Sequence, residues 1–240
     1  MHRVVETLVV ENDIARNLEK SKLASKKGIA KVIEISYIVN SVSNIDAKSN
    51  SYEVDMEVEF YWNEPKAIGR DEGEVLDLKK NDMFDPQIYV TNQAELEKHH
   101  YVTQVLDSST GDVICRVRYR GKCYITNMDL SYFPFDCQNL QVGLRTTRLE
   151  VEKVVLKARN DCCSLHHHGV HEWVVLDHLM KDFVTDPALS SAHKEYSIMF
   201  ITVLVRRQSM WFVNNILITS TLLVIFTWAS YIYEPVSILS

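Results

Sequence analysis

The 240-residue chain sets 26 Lys and Arg against 32 Asp and Glu, a net charge of −6, which disfavours a nucleic-acid partner. A hydrophobic share of 46% excludes a disordered chain, and 7 glycines with 5 prolines leave little for long flexible linkers. The 5 cysteines are an odd number, so they cannot all pair within one chain.

Residues 1–28 place Val5, Leu8, Val9, Ile14 and Leu18 at loose helical spacing, with Gly28 as a stop. A short helix and an unordered leader are both open readings. The apolar run is too short and too interrupted by acids for a secretory signal. A mature start, a start further upstream, or export through a later apolar helix each fit.

From Ile29 the period falls to two, through Ile33, Ile35, Tyr37 and Val39. Residues 40–51 read as a polar turn with Asp46 near its middle. Tyr52, Val54, Met56, Val58, Phe60 and Trp62 then alternate with Glu53, Asp55, Glu57 and Glu59, which predicts a half-buried strand with an acidic solvent face. A strand is expected from Val102 to Leu106, and another through Val113, Cys115, Val117 and Tyr119. A further strand after Gly121 should lead to YFPFDCQNLQV, which opens at Tyr132. Proline there belongs at a strand end or turn, and two exposed phenylalanines on a loop should dock on something apolar. The β pattern continues through residues 142–156. A Cys/His-rich loop covers residues 160–171, a strand with Trp173 covers 172–183, and a loop covers 185–194. Residues 196–205 are apolar on both faces, as in a central strand. Short strands with turns about every ten residues predict an all-β, immunoglobulin-like antiparallel β-sandwich of about ten strands.

Residues 210–233 hold no charge and are long enough to cross a hydrocarbon core of about 30 Å. Trp211 stands near one end, and Trp228, Tyr231 and Tyr233 near the other, as interfacial aromatics do. Asn214 and Asn215 mark a face that packs on protein. The expected division is a helix or leader over 1–28, a β-sandwich domain over 29–207, a transmembrane helix over 208–234 and a tail over 235–240. No G-x-S-x-G, P-loop, Rossmann glycines or H-E-x-x-H occurs, so no enzyme and no cofactor is expected.

The F-P-F-D-x-Q block at Phe133, Pro134, Phe135, Asp136 and Gln138 resembles the signature of the pentameric ligand-gated ion channels, the Cys-loop superfamily. The segment NDMFDPQIYVTN, with Pro86 before Asn92, resembles that family's first pocket loop. Arg207-Gln208, Asn215-Ile216-Leu217-Ile218 and Trp228 resemble the first membrane helix of its proton-gated bacterial members. Those usually carry a proline after the Asn-Ile-Ile-Leu block, where this chain has Thr219. The family's paired cysteines would fall at Thr126 and Leu140, and neither is cysteine, as in the bacterial branch. Cys123 and Cys137 keep the family's spacing but lie three positions early, so a bridge between them is not expected.

The resemblance implies a β-sandwich outside the plasma membrane, in a homo- or hetero-pentamer of channel subunits. It implies a small-molecule ligand, or protons, bound between subunits and coupled to a pore. Asp136, Arg207 and Asp46, with Phe133, Pro134 and Phe135, would carry that coupling. Thr147 stands where the family has its central pocket tryptophan, so an amine cage is not expected. Arg145 and Arg148 suit an anion instead. Tyr89, Thr91, Phe183 and Tyr196 complete the ligand-binding candidates. Cys162-Cys163 precede the Trp173 strand, whereas the adjacent cysteines of acetylcholine receptor subunits follow it, so they do not speak for acetylcholine. Cys162, Cys163, His166, His168 and His171 fit no structural zinc module, and a hydrated loop, a modulatory metal site and proton sensing stand open.

The family's pore-lining helix would follow, so this chain alone is expected not to conduct. It reads as a fragment, a truncated reading of its gene, or a tethered binding subunit. The rival is a membrane-tethered ligand- or metal-binding protein without channel activity. Arg206 and Arg207 precede the helix and no Lys or Arg follows it. The positive-inside rule would therefore put the sandwich in the cytoplasm, against the family's extracellular placement.

Overall fold

The computed structural model describes residues 30–147, 149–159, 163–166, 172–189 and 193–233. The expected N-terminal helix and the tail lie outside them.

Strand alternation builds the sandwich. In β2 (Ser51–Asn63), Tyr52, Val54, Met56, Val58, Phe60 and Trp62 are all buried while the acids between them face out. Each such side chain contributes about 1.5–3 kcal/mol on burial. β1 (Lys31–Asp46) and β5 (Asp112–Tyr124) flank β2, and β4 (Gln93–Asp107) lies outside β5. β7 (Val154–Ala158) and β8 (Ser164–Leu165) share the other side of β1. The second sheet runs β3 (Ile88–Val90), β6 (Cys137–Thr146), β10 (Ser197–Arg207), β9 (Trp173–Val184). Side-chain hydrogen bonds tie the two sheets together. Tyr52 Oη donates to Gln141 O at 2.8 Å, and Tyr37 Oη bonds His178 Nδ1 at 2.7 Å.

The sandwich is not wholly antiparallel, because β7 and β8 run parallel to β1. The chain leaves β6 in one sheet and crosses to the free edge of β1 in the other, and a crossover permits parallel pairing. β1 extends to Asp46, so the turn covers only residues 47–50. Its polar end is held extended by pairing with β2, Ser41 opposite Asp55 and Ser43 opposite Glu53. β4 begins at Gln93, well before Val102, since an edge strand with a solvated face needs few apolar residues. Gly121 lies inside β5 rather than between strands, with φ +141°, where any Cβ would collide with the Glu95 carbonyl. β6 ends at Thr146, and the chain turns before β7.

After Gln208 the chain becomes helical. α1 (Ser209–Phe212) leads into a π-helical turn, Val213–Leu217, and then α2 (Ile218–Tyr233). Val213–Tyr231, 19 residues, is long and apolar enough to cross a membrane, and none of it is buried by the rest of the chain. The Thr221 and Thr227 hydroxyls each donate to the carbonyl four residues earlier, Leu217 and Leu223, at 2.8 Å, so both are satisfied within the helix. No proline follows the Asn-Ile-Leu block, and the helical irregularity comes from the π turn just before Thr219.

Candidate functional site

On the outer face of the four-stranded sheet, strand register draws one row of side chains across all four strands. Tyr89 of β3 is opposite Arg145 of β6, Arg145 opposite Ile198 of β10, and Ile198 opposite Phe183 of β9. All four are half-buried, while their neighbours Val90, Leu144 and Met199 point into the core. Tyr196, just before β10, leans onto the same row. The Arg145 guanidinium carbon lies 5.4 Å from the Tyr89 ring centroid and 4.9 Å from that of Tyr196. Both distances are within cation–π range. The arginine therefore sits between two tyrosines, with its own charge against both rings. Its Nε is buried with no hydrogen-bond partner.

The next row holds Gly143 and Phe200, and Thr91 packs over it, with its N–H donating to Gly143 O at 2.7 Å and its hydroxyl at 3.2 Å. Phe200 meets Phe183 edge-on at 5.4 Å. A Cβ on Gly143 would approach the Phe200 ring to 2.9 Å and overlap the Thr91 hydroxyl. Five of the six ligand-binding candidates thus share one patch. Arg148 lies outside the described residues. Gly143 and Phe200 were missed, because only the β6–β10 register reveals them. Thr147 is exposed, and its hydroxyl is spent on Gln87 O at 2.7 Å.

The second cluster lies where the sandwich meets the helix. Arg207 Nε donates to Asp136 Oδ1 at 2.7 Å and Nη2 to Oδ2 at 3.2 Å, while the Arg207 N–H donates to Asp136 O at 3.1 Å. The Asp136 side chain is 1% exposed and that of Arg207 14%. Gln138 Nε2 donates to Asp136 Oδ2 at 2.8 Å and to Asp129 O at 2.7 Å, which pins the loop to its own strand. Burial pushes the Asp136 carboxyl up, but hydrogen bonds from Arg207 and Gln138, with the arginine's charge, hold it below the usual aspartate value. Rings bracket this guanidinium too, Trp173 at 4.2 Å and Phe133 at 4.9 Å. Phe133 then meets Phe212 of α1 edge-on at 4.7 Å. Phe135, by contrast, is 68% exposed.

Asp46 does not join this cluster. Its carboxylate accepts from Lys48 N at 2.8 Å and Ser49 Oγ at 2.6 Å, closing the β1–β2 turn. Trp173 and Phe212 were not singled out in advance as members of the cluster. Trp173 faces Arg207 across the β9–β10 ladder, a pairing no linear spacing encodes. Cys123 and Cys137 are both free thiols, one buried and one exposed. Of the Cys/His loop, only Cys163 and His166 are described, and no metal-ligating cluster occurs among the described residues.

The sandwich thus runs through Arg207 into an apolar helix, and the loop that carries Phe133 packs on the first turn of that helix. The profile of the neurotransmitter-gated ion-channel ligand binding domain matches residues 10–209, and the chain belongs to that family. The family is one of ligand-gated channel domains rather than an enzyme class. No curated protein matches the chain.

Proposed function

We propose that this chain is the ligand-binding part and first membrane helix of a pentameric ligand-gated channel, with its sandwich outside the plasma membrane. Ligand binds on the outer face at Arg145, Tyr89, Tyr196, Thr91 and Phe183, against a neighbouring subunit. Because the aromatic pair already holds the protein's own cation, a second cation is repelled and a small anion is drawn to the guanidinium. Binding there biases the arrangement of β9 and β10, and β10 ends in Arg207. From Arg207 the change passes through Phe133 to Phe212 and the helix. The observation that carries this reading is Phe133, which touches both the Arg207 guanidinium and the helix ring of Phe212.

The likeness to proton-gated bacterial members extends the proposal to protons as a ligand. Asp136 is then not the sensor, because its lowered value keeps it charged through mildly acidic pH.

The test uses the full chain with its 5 native cysteines replaced by alanine and a fluorophore on Met210→Cys, reconstituted in liposomes, with acetate as the probe. Acetate should shift the emission. Arg145→Gln should abolish the shift by removing binding. Phe133→Ala should abolish it while acetate still binds. Binding that survives with no emission change in any variant would instead favour a tethered binder without channel activity.

A further inference from the structure

The chain crosses between the two sheets at two neighbouring points. Thr91 and Asn92 carry it from β3 in the four-stranded sheet to β4 in the six-stranded one. Residues 125–136 carry it back, from the end of β5 at Tyr124 to the start of β6 at Cys137. This second crossing holds Phe133, which packs on Phe212, and Asp136, which grips Arg207. Its two stems therefore belong to different sheets rather than to one ladder. Cys123 and Cys137, one on each stem, are free thiols and do not bridge them.

Asn92 supplies the tie. Its Nδ2 donates to Tyr124 O at 2.8 Å on the incoming stem and to Gln141 O at 2.6 Å on the outgoing one. A side-chain amide has two N–H donors, and here each goes to a different sheet. Its Oδ1 accepts from Gly143 N at 3.2 Å, and its backbone carbonyl accepts from Tyr124 N at 2.9 Å. Tyr52 Oη also donates to Gln141 O, at 2.8 Å, but that bond joins β2 to β6 and not the two stems to each other.

The ends of the loop are anchored separately. On the incoming side, Ile125 N–H donates to Asn50 O at 2.7 Å, just before β2. On the outgoing side, Gln138 of β6 holds Asp129, and Arg207 of β10 holds Asp136. Each anchor lies on its own sheet, so the separation of the stems depends on what crosses between them. Asn92 also borders the outer-face patch, because the Gly143 whose N–H it accepts bonds Thr91 through its carbonyl.

We propose that Asn92 is the positioning residue of the helix-facing loop: it fixes the two stems at one separation and so sets Phe133 on Phe212. Through Gly143 the same amide links that loop to the outer-face patch by a path outside β9 and β10. The link to ligand rests on the outer-face reading above, and the positioning does not.

The test compares Asn92→Ala with Tyr52→Phe, which removes the neighbouring donor to the same carbonyl. Hydrogen exchange is measured on the full chain in detergent micelles, without ligand. In Asn92→Ala the N–H groups of Ile125 and Asp129 should exchange at least tenfold faster, while those within β2 stay within twofold of wild type. Tyr52→Phe should leave the Ile125 and Asp129 rates within twofold. In liposomes, on the cysteine-replaced chain labelled at Met210→Cys, Asn92→Ala should bind acetate within threefold of wild type yet lose at least half of the emission shift. The proposal is overturned if Asn92→Ala leaves loop exchange unchanged, if the loop and β2 speed up together, or if Tyr52→Phe frees the loop as much. A full emission shift in a variant whose loop is freed overturns it as well. A wild type with no acetate response would count against the outer-face reading alone, and the exchange rates would still decide the role of Asn92.

Discussion

Two arginines in this molecule sit between pairs of aromatic rings, and they differ in one respect. Arg207, between Trp173 and Phe133, holds a buried carboxylate in a two-point grip. Arg145, between Tyr89 and Tyr196, holds no carboxylate among the described residues and keeps a buried Nε unmatched. Ring stacking fixes a guanidinium in place in both. What the guanidinium then faces separates a closed structural joint from a position with a donor still to spend. A buried donor without a partner costs about 1–3 kcal/mol, and a ligand that supplies the partner recovers part of that.

The contrast can be broken at its stronger end first. Asp136→Ala strands the Arg207 charge in a nearly closed site and should destabilise the sandwich by about 3–5 kcal/mol, read by denaturant unfolding in micelles. Arg145→Gln should cost about 1 kcal/mol or less, since no ion pair is lost, while anion binding at the outer face falls more than tenfold. If both variants destabilise equally, the distinction between the closed joint and the open position fails.

Gly143→Ala sharpens the outer-face side. The added methyl presses on Phe200 and Thr91, so a loss of about 1–3 kcal/mol is expected, together with weaker anion binding. Phe133→Leu probes the joint more gently. It keeps the apolar volume but removes the edge-on contact with Phe212 and the face under Arg207, and should cost about 0.5–1.5 kcal/mol by thermal unfolding.

The smallest effect is one of pH. The Asp136 carboxyl sits below its unfolded value, so its contribution is fully present above about pH 4 and is lost as pH falls through the lower native value. The stability gap between wild type and Asp136→Asn should therefore stay flat from neutral to about pH 4 and narrow only below it. A gap that closes between pH 5 and 8 would mean that the carboxyl is not held low.

Much of this was legible because burial imposes a period. The alternation from Tyr52 to Trp62 marked β2, and the two-faced apolar run before Arg206 marked β10 as central. The first half of β4 escaped because Glu95, Glu97, Lys98 and His99 dress an edge strand like a loop, while Val102–Leu106 was read as strand. Gly121 read as a break because its tight fit against Glu95 comes from another strand. The Asp136–Arg207 pair was expected from motif resemblance, not from any local rule. The Arg145 cage was only half legible. Its members were all named, but the row that joins Tyr89 to Phe183 exists only once four strands fall into register.

The π turn at Val213–Leu217 carries a consequence for anyone building with this domain. One additional residue in a helical turn offsets every later side chain by about 100° around the axis. Which way each flank of α2 faces relative to the sandwich is thus decided upstream, at the two asparagines. Grafting the sandwich onto a regular helix at Ile218 would rotate those flanks out of place, whereas a chimera joined beyond that residue should keep them aligned.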